Sequence, residues 1–108
     1  MDLTAEVYTL VKLLPKEELY GIAEQLRRAS VSVPSNIAEG EGRGTDKEFV
    51  KFLSIARGSL LEIETQLLIC NRLNLLTKEA TVPAYDMIME INKMLNSLIN
   101  FRISQNKK

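Results

Sequence analysis

The chain has 108 residues and a mass of 12.2 kDa, enough for one domain at roughly 150 residues each, which excludes a two-domain enzyme. Hydrophobic residues make up 45% and charged residues 26%, which excludes a disordered chain, while 14 Lys+Arg against 14 Asp+Glu exclude a monomer-wide field that gathers polyanions. Only 5 Gly and 3 Pro stand among abundant Leu, Glu, Lys, Ile and Ala, a mixture that suits long helices and an all-α fold.

Asp2 or Thr4 can cap a first helix running to about Leu14, with Leu3, Val7, Leu10, Val11 and Leu14 on one face. Pro15 marks the turn. A second helix is predicted from near Lys16, its seam formed by Leu19, Ile22, Leu26, Ala29, Val33 and Ile37 up to Gly40. Pro34 lies within that seam and lacks a backbone donor, so a kink is expected there. Gly40-Glu41-Gly42-Arg43-Gly44 reads as a hairpin loop, since neither a dinucleotide fingerprint nor a P-loop matches it.

Thr45-Asp46-Lys47-Glu48 has capping-box spacing and opens a third helix. Its seam of Phe49, Leu53, Ala56, Leu60, Ile63, Leu67 and Cys70 alternates steps of four and three, the period of packed helices. Thr77 can cap a fourth helix carrying Ile88, Ile91, Leu95, Leu98 and Phe101 on one face, with Pro83 delaying its regular start. The expected architecture is an antiparallel up-and-down four-helix bundle over residues 1–104, with a short first helix, a kinked second helix and a frayed tail at 105–108. The later helices, of about 25 residues, span roughly 38 Å, whereas a first helix of about 12 spans roughly 18 Å. The uncovered part of the groove between the longer helices therefore predicts self-association.

Beside the apolar seam of the second helix runs a polar row of Gln25, Arg28, Ser32, Asn36 and Glu39, about 100° round the axis. Ser59, Glu62 and Gln66 form a matching row on the third helix, and an antiparallel hairpin predicts an Arg28–Glu62 ion pair. Gly58-Ser59 costs about 1 kcal/mol in helix propensity. Close helix packing is the simpler explanation. The alternatives are an oligomer contact or a binding site lined by Arg28, Asn36, Glu39, Ser59 and Glu62, and a dry, fully paired stripe without a cavity would remove the binding site.

Histidine is absent, which removes the usual general base and the ligands of a carboxylate-bridged di-iron bundle. Glu62 and Glu64 are two apart on a helix and point to different faces, so they form no catalytic dyad. No catalytic, metal-binding or cofactor site is expected. Cys70 is the lone cysteine, which excludes an intrachain disulfide and suits a buried thiol in a reducing compartment. The N-terminal residues form no signal sequence, and no uncharged run reaches the ~20 residues of a membrane span, so a cytoplasmic location without membrane contact is expected. Lys12, Lys16, Arg27, Arg43, Arg57 and Arg72 are candidate nucleic-acid contacts if assembly gathers them, although solvated surface charge is the simpler reading.

Four segments carry a resemblance: Leu14-Pro15-Lys16-Glu17-Glu18, Gln25-Leu26-Arg27-Arg28-Ala29, Ser32-Val33-Pro34-Ser35-Asn36-Ile37-Ala38-Glu39-Gly40, and Phe52-Leu53-Ser54-Ile55-Ala56-Arg57-Gly58-Ser59-Leu60-Leu61-Glu62. Together they resemble the four-helix-bundle proteins encoded in intervening sequences of bacterial 23S ribosomal RNA genes, which are related in fold to accessory proteins of diversity-generating retroelements. The resemblance implies a bundle that assembles with itself into a ring, a pentamer, with no established enzymatic activity. It further implies an RNA-protein scaffold or accessory role, with RNA or DNA and a reverse transcriptase as candidate partners. The chain departs from the family pattern in its shorter first helix and in Pro83.

Overall fold

A computed structural model describes residues 2–18 and 20–106. Leu19, expected in the second seam, and Lys107 and Lys108 of the expected tail lie outside the described residues. Four helices account for the fold: α1 (Asp2–Val11), α2 (Ile22–Glu41), α3 (Asp46–Arg72) and α4 (Lys78–Asn106). They form a rod measuring 51 × 23 × 19 Å. As residue numbers rise along α2 their partners on α3 fall, from Gln25 against Gln66 to Ser32 against Ser59, so these two helices run antiparallel. Asn71 against Thr81 and Arg57 against Asn96 give the same sense for α3 and α4.

The apolar seams predict the core well. Every seam residue named for α1 and α3 is buried, as are Leu26, Ala29 and Val33 of α2, with Ile22 and Ile37 half-buried at its ends. On α4 the buried line is Ala84, Ile88, Leu95 and Ile99; Leu98 is half-buried and Phe101 is 58% exposed. The cause is the length of α1. Leu3 meets α4 beside Met87, Ile91 and Met94, and beyond that point α1 no longer covers the side carrying Leu98 and Phe101. The far end is a three-helix bundle.

Several boundaries differ from expectation. Lys16–Glu18 forms a 3₁₀ turn, and α2 begins only at Ile22, because Gly21 adopts a non-helical conformation (φ −105°, ψ −112°) that interrupts the chain. At the other end α2 absorbs Gly40 and Glu41, expected as loop. A Cβ on Gly40 would lie 2.8 Å from Phe52 Cβ and 2.9 Å from Phe49 Cδ1, so the close approach of α2 and α3 at the hairpin depends on the missing side chain. Gly44 turns the chain at φ +83°, and Thr45 caps α3 by accepting a hydrogen bond from the Glu48 N–H at 3.2 Å. Thr77 caps α4 through the Ala80 N–H at 3.1 Å, so this helix starts ahead of Pro83, and it continues through Asn106.

Pro34 does not break α2, which is helical on both sides of it. A residue with an N–H at position 34 would donate to the Ser30 carbonyl four residues back. Thr4 of α1 supplies that donor instead, its hydroxyl lying 3.0 Å from the Ser30 oxygen. The proline thus opens an acceptor in α2 that α1 uses for docking.

Candidate functional site

The polar rows of α2 and α3 meet where the antiparallel hairpin places them. Ser32 and Ser59 share a hydrogen bond at 2.8 Å across the helices. Asn36 Nδ2 donates to the Ser32 carbonyl at 2.8 Å and to Ser32 Oγ at 2.9 Å, which leaves the Ser32 proton free to point at Ser59. Farther along, Gln66 Nε2 donates to Gln25 Oε1 at 3.2 Å. Around these pairs lies a cleft of about 340 Å³ lined by Gln25, Arg28, Ala29, Ser32, Ser59, Glu62 and Gln66.

This stripe is neither closed nor fully paired. Gln66 is 7% exposed, and its Oε1 has no hydrogen-bond partner among the described residues. The expected Arg28–Glu62 ion pair does not form: the two side chains line the same cleft from facing helices without pairing, both exposed and free to be solvated separately. Glu39 leaves the row altogether, because Arg43 one turn on holds its carboxylate at 2.7 Å. Six of the eight predicted seam residues therefore line one cleft, Asn36 supports it through Ser32, and Glu39 stands apart.

Residues 1–97 match the family model described as 23S rRNA-intervening sequence protein. The chain belongs to that family. A crystal structure of a protein of unknown function from the S23 ribosomal protein family of Bacteroides thetaiotaomicron VPI-5482 is similar, with 27% identity and a TM-score of 0.83 over 91% of this chain and 92% of that one. No curated protein matches the chain.

The candidate nucleic-acid contacts of this 23S rRNA-intervening sequence family member lie toward both ends and in the middle of the bundle. Arg27 pairs with Glu24 at 3.1 Å, and Arg43 pairs with Glu39 while lying over the Phe52 ring. Arg57 Nη1 donates to Asn96 at 2.7 Å, joining α3 to α4. Lys12 and Lys16 are exposed in the α1–α2 connection, and Arg72 is exposed at the opposite end of α3 from Arg43. Lys12, Lys16 and Arg72 thus lie toward the end of the bundle where α2 begins and α3 ends, and Arg43 lies toward the other. Among the described residues no three His, Cys, Asp or Glu side chains come together as a metal site, and no described helix is long and apolar enough to cross a membrane.

Two features of the fold depart from the sequence expectations. At the α3–α4 turn, Asn71 Nδ2 donates to the Leu76 carbonyl at 3.1 Å and to Thr81 Oγ1 at 3.2 Å, and Tyr85 donates to Asn71 Oδ1 at 2.6 Å. Burial raises the Tyr85 pKa, opposed by its hydrogen-bonded neighbour Thr81 and assisted by Glu64 and Cys70. Burial also pushes the Cys70 thiol up, with the Glu18 carboxylate acting in the same direction. The second feature is Gly58. It has no described neighbour within 4 Å of where a Cβ would stand, so close helix packing within the chain does not account for it.

Proposed function

We propose that this protein is a non-catalytic scaffold that assembles with copies of itself, a five-membered ring being the expected assembly, in a reducing cytoplasmic setting. The observation that carries this reading is the outer face of α3. Gly58 is exposed midway along a helix of 27 residues, with Ile55 44% and Leu61 52% exposed one turn to either side. Farther along, Leu68 and Ile69 join Val82 and Tyr85 of α4 in lining a cleft of about 770 Å³. An apolar stripe round a glycine without neighbours suits the close approach of a second helix, and the subunit supplies none. The side of α4 beyond α1, with Phe101, adds apolar surface for the same purpose.

Light scattering coupled to gel filtration tests this directly. The expected result is a stable multimer at micromolar concentration. Leu61→Lys with Ile69→Lys should give a monomer that keeps its helical circular dichroism, whereas a monomeric wild type would reject the proposal. The relative's description as an S23 ribosomal protein family member supports an RNA-associated setting for the scaffold. Binding of the assembled form to structured RNA should then weaken steeply as salt rises, because released counterions drive phosphate contacts.

A further inference from the structure

We propose that the polar cleft between α2 and α3 binds a small zwitterion of the α-amino acid class, with its ammonium group on the Gln66 and Glu62 side and its carboxylate on Arg28. This goes beyond the scaffold reading and does not depend on it. Three observations converge. Gln66 is more than nine-tenths buried, lines the cleft, and has an acceptor oxygen without a donor among the described residues, a state that is unfavourable in a buried group. Its amide donates to Gln25 on its other side, so rotating it alone would set two acceptor oxygens face to face and leave an orphan donor in place of the acceptor. Oε1 is closed to solvent in the free protein, so a ligand N–H satisfies it once the Gln66 side chain shifts toward the ammonium.

The rim charges set the rest of the ligand. Glu62 on α3 and Arg28 on α2 face the same space with opposite sign and do not neutralise each other. A simple amine entering the cleft meets Arg28 as a like charge, and a simple carboxylate meets Glu62. A molecule that carries both groups pairs each with its complement, and charge-assisted hydrogen bonds are the stronger kind. The volume of about 340 Å³ lies at the lower end of the range for ligand clefts and suits a molecule of this size. Ser32 and Ser59, with Asn36 behind them, form a preorganised hydroxyl floor that needs no rearrangement to accept a ligand.

Nuclear magnetic resonance titration of the full-length protein with the common α-amino acids tests the proposal, with acetate and methylammonium as single-charge probes. The expected result is saturable shifts of the amides of residues 25–32 and 59–66 for at least one amino acid, at millimolar concentration or below. Each single-charge probe should bind at least about tenfold more weakly. Glu62→Gln and Arg28→Gln are exposed changes that leave the core intact, and each should lower the affinity about tenfold. The proposal is overturned if no amino acid shifts these resonances, if acetate or methylammonium binds as well as the zwitterion, or if both variants bind like the wild type.

Discussion

Gly40 and Gly58 both sit inside helices, where glycine is an expensive choice, yet their surroundings are opposite. Gly40 is closed in by Phe49 and Phe52, so its missing Cβ is explained within the chain. Gly58 looks onto open space between exposed Ile55 and Leu61. The first lets α2 and α3 draw together at their hairpin, and the second leaves a notch on the outside of α3. The comparison teaches that one residue type can record an internal constraint at one end of a hairpin and an outward-facing one in the middle.

The largest effect should come from the core between them, which sets the scale. Leu60→Ala removes a fully buried side chain and should destabilise the fold by about 2–5 kcal/mol in urea titrations. Gly40→Ala comes next, with an expected loss of about 1–3 kcal/mol, since the added methyl collides with a buried Phe49 and with the Phe52 Cβ, which cannot rotate away. A stability equal to wild type would show that the hairpin can spread, and would dissolve the contrast. Gly58→Ala should act in the other direction: its monomer gains about 0.5–1 kcal/mol from helix propensity while assembly weakens, as read by light scattering on dilution. Unchanged assembly would detach Gly58 from the interface.

The smallest effect concerns pH. Because burial raises the Cys70 pKa, the unfolded chain loses this proton before the folded chain does as pH climbs. The stabilisation is complete below the ordinary thiol range and is lost as pH rises through the folded value. The urea midpoint should therefore drop at alkaline pH, and the drop should be smaller in Cys70→Ala. Tyr85, shifted in the same direction, adds to the slope at higher pH in both proteins.

Most of the core was legible because α1 and α3 bury one face along their whole length, so a period of three and four steps translates directly into burial. The same reasoning misplaced Phe101, since the face that α4 buries depends on how far a different helix reaches. The α2–α3 cleft was legible as two polar rows at one register. Its missing Arg28–Glu62 pair was not, because register brings side chains to the same space without fixing where their flexible ends rest. Asn71 escaped notice for a related reason: a lone asparagine near a helix end has no periodic signature, and its partners lie on the turn and the next helix.

The Thr4 hydroxyl on the Ser30 carbonyl has a consequence for how the short first helix finds its place. Ten residues are too few to be stable alone, and a smooth apolar stripe would tolerate sliding by a turn in either direction. Any such slip would strand the carbonyl that Pro34 cannot serve. The proline therefore works as an address label, a single polar mark that tells an otherwise greasy peg which hole is its own.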